Sequence, residues 1–316
     1  MVKYVLTGVD GGLGHYAANF ALEIAPPGTN LTFTTFSLNN IPADTLKSWR
    51  EKGATVIEAN YDEIEGLKAA FVGAEAVNLI STWAFGRRAQ QAQNVIDAAK
   101  ANGVRRICYT SFVDADDPRS VADMPFLPRD HKMTEELIRT SGLEYNIQRD
   151  YLYQDNMCVF FAPSWNFNDH KWLFNSHNVP GAYVAKEDCG RVLGALLLGR
   201  GEPNKVYTIT GPVAVTDKEM FDWYCNLTGY KGEFVDVPDD ELRAHWLGRG
   251  LPDDVSGDFS NIPMKLCIED LLCCGQILAE GFMTQPTNHV ELLTGRKPLP
   301  YQEALVKYKN GLDKFL

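Results

Sequence analysis

Residues 3–14 read Lys-Tyr-Val-Leu-Thr-Gly-Val-Asp-Gly-Gly-Leu-Gly, an apolar run that passes directly into the pattern Thr-Gly-x-x-Gly-x-x-Gly. A helical pattern follows over residues 15–24. We predict that Gly8 turns the chain out of a strand, that Gly11 lets a pyrophosphate approach the backbone, and that Gly14 lets the helix pack on the strand. The N–H groups at the start of this helix would then face an anion. Because the motif ends a strand and opens a helix, it favours a dinucleotide site over a glycine-rich turn that binds nothing.

The first half of the chain alternates between short apolar runs and helical patterns, which is typical of right-handed βαβ units around a parallel sheet. Glycines just beyond three helical runs, at positions 53, 103 and 142, are typical of left-handed helix caps. Strands are predicted at residues 3–7, 30–37, 54–58, 74–80, 105–110 and 144–149, and helices at residues 12–25, 42–52, 62–71, 86–102 and 130–141.

The second half departs from this alternation. Residues 150–180 are rich in aromatic side chains, and the chain is expected to be helical and irregular from about residue 214. Between them, strands are predicted at residues 181–185 and 205–210 around a helix at residues 187–199. We therefore predict an α/β fold, a Rossmann-type doubly wound parallel sheet with a smaller, mostly α-helical C-terminal substrate-binding part.

The predicted parts are each built from two segments of the chain. No Pro/Gly/Ser-rich linker separates them, so the smaller part should pack on the larger one. The dinucleotide-binding domain is predicted to comprise residues 1–152 and 178–213, and the substrate-binding part residues 153–177 and 214–316.

Composition excludes several classes of protein. The formal net charge of −11, from 30 Lys and Arg against 41 Asp and Glu, argues against nucleic acid as the main partner. No run of 18 apolar residues predicts a membrane span, and the N-terminus shows no basic leader. The seven cysteines are scattered and odd in number, and the six histidines show no metal-ligand spacing. These features predict a cytoplasmic protein with reduced thiols and no metal site.

Three further stretches carry a resemblance to a known family. They are residues 103–111, residues 131–145 leading into Arg149–Tyr153, and residues 291–300. Together with the glycine motif they resemble the NmrA-like group of atypical short-chain dehydrogenase/reductases. That group includes triphenylmethane reductases and NAD(P)H:quinone oxidoreductases and, more distantly, the pinoresinol and isoflavone reductases. The resemblance covers nearly the full length in order, and it implies a Rossmann fold and an NAD(P)H-dependent reductase.

The cofactor preference is expected to depend on the residues after the second strand. Ser37-Leu-Asn39-Asn contains neither the acidic residue that favours NAD nor the arginine that favours NADP. Ser37 and Asn39 can bind a phosphate without charge, and Lys47 or Arg50 could reach it; a polar loop facing water is the alternative. Because relatives often use NADPH, the resemblance favours NADP(H), with NAD(H) as the second option.

The resemblance also places adenine near Asn60 and the nicotinamide ribose near Ser81 and Thr82. The predicted cofactor-binding residues are Thr7, Gly8, Gly11, Gly12, Leu13, Gly14, Ser37, Asn39, Asn60, Ser81, Thr82 and His131.

The catalytic pair of typical short-chain dehydrogenases is incomplete in this chain. Aligned with the family at Glu135 and Gly142, His131 occupies the lysine slot and Leu127 the tyrosine slot. His131 is a candidate proton donor, since imidazole titrates near neutral pH, but it could equally bind the ribose or a backbone carbonyl. Tyr153, in the loop after the sixth strand, is either a second catalytic residue lining the pocket or a core residue.

The substrate pocket is expected to have aromatic walls. Trp83, Phe112, Tyr153 and Trp165 fall near predicted strand ends or in the aromatic segment, although about half of such residues are expected in the core. Aromatic walls favour an aromatic, quinone-like or lignan-like small-molecule substrate. The alternative function is a non-catalytic dinucleotide sensor that regulates a protein partner, and a homodimer is an option for either.

Overall fold

The structure, a computed structural model, describes residues 2–82, 87–262 and 266–312. Its strands are β1 (Lys3–Leu6), β2 (Asn30–Thr35), β3 (Thr55–Glu58), β4 (Ala74–Ile80), β5 (Arg106–Phe112), β6 (Glu144–Asp150), β7 (Lys171–Phe174), β8 (Lys205–Ile209) and β9 (Glu233–Asp236). Its helices are α1 (Gly12–Ile24), α2 (Ala43–Glu51), α3 (Ile64–Phe71), α4 (Arg88–Ala101), α5 (Phe126–Thr140), α6 (Ala162–Phe167), α7 (Lys186–Leu197), α8 (Asp217–Thr228), α9 (Asp239–Gly248), α10 (Ile268–Ala279), α11 (His289–Thr294) and α12 (Tyr301–Leu312).

Seven parallel strands form the main sheet in the spatial order β3-β2-β1-β4-β5-β6-β8. The order reverses between β1 and β4. In doubly wound sheets, ligands bind outside the carboxyl ends of the strands at such a reversal. The predicted Rossmann-type α/β fold is therefore confirmed, and its topology indicates where a site should lie.

Side chains alternate across the sheet, so each face carries its own apolar core. Val5 belongs to the core under α3 and α4, with Leu67 and Val95. The next residue, Leu6, belongs to the core under α1 and α7, with Val192. Val5 and Leu6 are both fully buried, on opposite faces of the sheet. This explains why β1 does not alternate between apolar and polar residues at these positions.

Helices α1 and α7 pack against each other at unusually close range. A Cβ on Gly190 would lie 2.5 Å from Tyr16 Cβ, and one on Gly194 would lie 2.8 Å from the carbonyl oxygen of Ala17. Only glycine fits at both positions, because real Cβ atoms do not approach backbone this closely. The contact brings Lys186, at the start of α7, beside the start of α1.

The sequence predicted the first half of the fold well. Each of its six predicted strands is present with ends shifted by at most two residues, and the three cap glycines have φ between 63° and 90°. Helix α5 begins at Phe126, four residues earlier than predicted. Pro125 precedes this helix and Pro128 lies in its first turn, where proline removes no intrahelical hydrogen bond.

The errors of the secondary-structure prediction lie in the second half of the chain. The strand predicted at residues 181–185 is wrong, because this segment forms only isolated bridges, from Gly181 to Val215 and from Val184 to Tyr153. Two strands were missed. β7 lies inside the aromatic segment, β9 lies in the region expected to be helical and irregular, and the two pair as a small parallel sheet. The seven strands of the main sheet all lie within residues 1–152 and 178–213. The division into two parts nevertheless stays a prediction.

Across the described ranges, no helix is both long enough and apolar enough to cross a bilayer.

Candidate cofactor and active site

A cavity of about 600 Å³ opens at the carboxyl ends of the central strands. The glycine loop, including Gly8 and Gly12, lines one end, and Phe112, His131 and Tyr153 line the other. Its volume is within the range of about 300–1,000 Å³ that is typical of ligand sites. The sheet therefore brings the two sets of predicted site residues to one continuous space.

The glycine loop has the geometry of an anion cradle. Gly8 has φ +69°, a left-handed conformation that side chains disfavour. A Cβ on Gly14 would lie 2.0 Å from the carbonyl oxygen of Gly8, so the loop closes on α1 only without a side chain. Gly11, which precedes α1, supplies no side-chain cap to the helix. The N–H groups of the first turn, with the helix dipole, are thus available to a diphosphate.

Thr7 holds this loop from below and does not line the cavity. Its side chain is fully buried, its hydroxyl donates to the carbonyl oxygen of Asn78 at 2.9 Å, and its amide donates to Asn78 Oδ1 at 2.6 Å. Tyr61 donates its phenol proton to the Thr7 hydroxyl, and burial raises the pKa of Tyr61 to about 12. The role that the structure gives Thr7 is to join β1 to β4.

Ser37 and Asn39 lie on a short turn after β2 and do not line the cavity. Ser37 Oγ accepts from the Asn39 amide at 3.3 Å, so the serine caps its own turn. Lys47, one of the two cations considered for this position, forms an exposed ion pair with Glu51 at 3.9 Å. Phe36, which precedes the turn, lines the cavity with 68% of its surface exposed.

Two carboxylates hold the same turn. Asp10 Oδ2, in the glycine loop, accepts from Asn40 Nδ2 at 2.9 Å, and Glu58 Oε1 accepts from the Leu38 amide at 2.8 Å. Their negative charge lies where dinucleotide-binding folds hold the adenosine ribose. No local pattern indicates these two contacts, because Asp10 and Glu58 lie 30 and 20 residues along the chain from their partners in the turn.

The side chains at the ends of β3 and β4 line the middle of the cavity. Asn60 Oδ1 accepts from the Asp62 amide at 3.0 Å, and Asp62 forms an ion pair with Arg87 at 2.6 Å. The Ser81 amide donates to Thr110 Oγ1 at 2.9 Å, and the Thr82 hydroxyl donates to Gln91 Oε1 at 2.6 Å. These two contacts hold the end of β4. Trp83 lies outside the described residues.

His131 is a buried, neutral imidazole at the inner end of the cavity. It stacks on Phe112 with ring centroids 5.8 Å apart, and its Nδ1 lies 2.8 Å from the phenol oxygen of Tyr109. Burial, and to a lesser degree the guanidinium of Arg88, hold the pKa of His131 well below its usual range. Burial raises the pKa of Tyr109. The tyrosine therefore donates to Nδ1, and the remaining proton of the imidazole is on Nε2.

Leu127, in the slot of the family's tyrosine, also lines the cavity and supplies only an apolar surface. Glu135 lies one turn after His131 on α5. It accepts from Ser111 Oγ at 2.6 Å and forms an ion pair with Arg149 at 2.7 Å. The two contacts of Glu135 join α5 to β5 and to β6, and so they hold the helix that carries His131.

Tyr153 lines the cavity and is bonded to a buried carboxyl. Its phenol oxygen lies 2.9 Å from Asp150 Oδ2, while Gln148 Nε2 donates to Asp150 Oδ1 at 2.9 Å. The ammonium of Lys186 lies 5.2 Å from the centroid of the Tyr153 ring and forms an ion pair with Asp155 at 2.6 Å. Tyr153 both packs against the core and lines the cavity, and its catalytic role stays a prediction.

Trp165 does not line the cavity, contrary to the sequence-based expectation. It lies on α6 and is fully buried, with its ring centroid 4.7 Å from that of Phe221 on α8 and 5.9 Å from that of Trp172 on β7. The aromatic segment folds back on β7 and α8, so this indole forms part of the core.

Three further cavity or near-cavity groups escaped the sequence analysis: Tyr109, Asp150 and Lys186. Asp150 follows the predicted sixth strand directly, and a carboxyl at the end of a parallel strand is a signal for the site edge of the sheet. Tyr109 had no such signal, since an aromatic residue in a buried strand is typical of a core. Within the described residues no group of three His, Cys, Asp or Glu side chains could hold a metal ion.

Comparisons with known proteins agree with this geometry. A family model described as NAD(P)H-binding matches residues 10–156. Quinone oxidoreductase 2 of Escherichia coli is 28% identical over 253 residues, covering 79% of this chain and 83% of that protein. An NmrA-like family domain-containing oxidoreductase of Aspergillus flavus is 22% identical over 310 residues, covering 96% of this chain and 94% of that protein.

Solved structures share the fold over the whole chain. The NADPH complex of the E. coli NADPH-dependent quinone oxidoreductase superposes with a TM-score of 0.77 at 24% identity, covering 98% of this chain and all (100%) of that one. Triphenylmethane reductase of Citrobacter sp. superposes with a TM-score of 0.76 at 21% identity, covering 99% of this chain and 100% of that one. Residues 10–156 therefore match an NAD(P)H-binding family, and the chain shares the fold of these oxidoreductases over nearly its full length.

Proposed function

We propose that the protein is an NAD(P)H-dependent reductase that transfers hydride to an aromatic, quinone-like or lignan-like small molecule. One observation carries the proposal: a single cavity is lined by the glycine loop and, at its apolar end, by His131. The relatives named quinone oxidoreductase and triphenylmethane reductase support this class of acceptor.

The chain's own residues fit a dinucleotide along this cavity. Gly11 and Gly12 leave the first turn of α1 open to the diphosphate, and Ser81 and Thr82 end β4 where the nicotinamide ribose is expected. When bound, the reduced nicotinamide supplies the hydride, while the protein supplies position and a dry pocket.

The inner end of the cavity suits a planar acceptor that carries oxygen. Phe112, Leu127 and Phe161 line it with apolar surface, which excludes water and favours aromatic ligands. Neutral His131 can donate its Nε2 proton in a hydrogen bond to an acceptor oxygen, and so stabilise negative charge that develops there. A quinone needs only this weak acid help to accept hydride, whereas an alcohol-forming reduction needs a stronger proton donor.

The test is oxidation of NADPH and of NADH by the purified protein with a panel of quinones, lignans and triarylmethane dyes. We expect turnover with at least one aromatic acceptor, and a much lower kcat in a His131→Ala variant that still binds the cofactor. Binding of the dinucleotide without turnover of any acceptor would contradict the proposal.

That outcome would favour the second candidate, a non-catalytic dinucleotide sensor. The observation on its side is the apolar Leu127 in the slot of the usual catalytic tyrosine. A sensor should distinguish oxidised from reduced cofactor, so comparison of the two dissociation constants tests it directly.

A further inference from the structure

A buried tyrosine–carboxyl pair lies beside the cavity, and the hydride transfer described above makes no use of it. Asp150, at the end of β6, is 1% exposed, and its two oxygens have different partners. Gln148 donates to Oδ1 at 2.9 Å, and the phenol of Tyr153 lies 2.9 Å from Oδ2. Tyr153 lines the cavity while Asp150 does not, so the tyrosine separates the carboxyl from any ligand.

The surroundings of Asp150 favour its neutral form. Burial raises its pKa to about 7. The groups that face the pair are the thiol of Cys189, whose pKa is also raised by burial, and the carboxylate of Asp155, which is paired with Lys186 at 2.6 Å. Among the described residues, no lysine or arginine forms an ion pair with Asp150. Near neutral pH the carboxyl can therefore hold a proton.

We propose that Tyr153 and Asp150 form a relay that gives the reduced acceptor its proton; the inference rests on the proposed reductase function. In the structure the Tyr153 phenol donates to Asp150 Oδ2 at 2.9 Å. Because Gln148 occupies Oδ1, a proton that Asp150 takes up is placed on Oδ2 and is donated to the Tyr153 oxygen, which reverses this hydrogen bond. The phenol proton of Tyr153, whose side chain lines the cavity, is then free for another acceptor.

The relay balances the hydride step. After the acceptor has received hydride, its negatively charged oxygen takes the phenol proton of Tyr153, and the O–H bond to the acceptor forms as the phenol O–H bond breaks. The Tyr153 oxygen takes the proton of Asp150 Oδ2 in the same way. Asp150 is left as a carboxylate and regains a proton from solvent before the next turnover.

His131 is unsuited to this task. Its neutral ring already accepts a hydrogen bond from Tyr109, and release of its remaining proton would leave an imidazolate. It can stabilise charge on the acceptor but not neutralise it by proton transfer, so a second group has to supply the proton.

Ionised Asp150 reverses the arrangement. The phenol of Tyr153 then donates back to the carboxylate, and the cavity loses its proton donor. We therefore expect the single-turnover rate of acceptor reduction to fall as the pH rises through about 7, where Asp150 titrates.

The decisive variant is Asp150→Asn, whose amide reproduces the neutral acid: its Oδ1 accepts from Gln148 and its nitrogen donates to Tyr153. Packing and the orientation of Tyr153 are kept, but no proton follows. We expect the single-turnover rate to fall by about 10²-fold at pH 6 and to lose its pH dependence near 7, with the dissociation constant of NADPH unchanged. Tyr153→Phe should give a loss of similar size.

Asp217→Asn is the matched control. Asp217 is another buried carboxyl bonded to a tyrosine, with Tyr183 at 2.5 Å and a pKa raised to about 6, but neither residue lines the cavity. This variant should keep the wild-type rate and pH profile.

A readout on the cofactor-free protein is independent of turnover. The raised pKa of Asp150 means that the folded state binds its proton more tightly than the unfolded state does. The neutral carboxyl therefore contributes to the free energy of unfolding below about pH 4, and this contribution is lost as the pH rises to about 7. Relative to wild type, the melting temperature of Asp150→Asn should therefore rise between these values and level off above 7.

The outcomes separate the two ideas. Turnover in the wild type that is indifferent to Asp150→Asn and to pH near 7 overturns the relay alone. Lack of turnover with every acceptor in the wild type contradicts the reductase function itself, and with it the relay.

Discussion

The phenol oxygen of Tyr109, on β5, lies 2.8 Å from Nδ1 of His131, on α5, and both side chains are buried. The contact connects the sheet to the helix that carries the candidate active-site histidine. Since the buried phenol keeps its proton, it fixes the tautomer of the imidazole with the proton on Nε2.

Tyr109→Phe should therefore impair function without displacing the ring of His131. Loss of the donor leaves either tautomer accessible and removes one hydrogen bond, so we expect kcat/KM for acceptor reduction to fall about tenfold, corresponding to ~1.4 kcal/mol. Steady-state kinetics check this. Tyr145→Phe is the control, because its phenol accepts from Arg139 outside the cavity. Equal rates in the two variants would show that the tautomer does not matter.

The depressed pKa of His131 makes a prediction about stability in acid. In the unfolded chain the imidazole of His131 binds a proton near pH 6.5, whereas in the folded protein its pKa is much lower. The folded state should therefore lose stability as the pH falls below about 6.5. His131→Asn removes this loss. Thermal melts of the cofactor-free proteins between pH 5 and 8 should show a flatter curve for the variant, and parallel curves would contradict a neutral His131.

Gly14→Ala tests the glycine loop by sterics alone. The added Cβ would meet the Gly8 carbonyl oxygen at 2.0 Å, a backbone atom that cannot move aside. We expect a destabilisation of about 3 kcal/mol or more, with loss of dinucleotide binding in any folded protein. Gly66→Ala is the matched control: this α3 residue has open space around its Cα, and alanine there should stabilise by about 0.5–1 kcal/mol. Chemical denaturation measures both.

Asp10→Asn should change the preference between the two cofactors. The carboxylate of Asp10 holds Asn40 beside the position expected for the adenosine ribose, where it opposes the additional phosphate of NADPH. The amide keeps the hydrogen bond but removes the charge. We expect affinity for NADPH to rise about three- to tenfold relative to NADH, measured by fluorescence titration, with Asp44→Asn on α2 as the control. An unchanged ratio would place the phosphate elsewhere.

Local sequence was sufficient for the elements that build the sheet. Glycine spacing, apolar runs and cap glycines predicted α1 and the strands of the first half within two residues, because these signals act over a few neighbouring positions. The same signals failed for β7, which pairs with β9 about sixty residues further along the chain. Its pairing depends on a contact that no local pattern encodes.

The candidate site divides in the same way. The sequence by itself determined that the glycine loop, the residues at the strand ends and His131 belong to one candidate site, since a parallel sheet brings the carboxyl ends of its strands to one edge. Tertiary structure alone decided that Trp165 is core, that Tyr109 donates to His131, and that Asp150 is buried behind Tyr153. Protonation and exposure depend on what packs around a side chain, and those neighbours come from segments distant in the sequence.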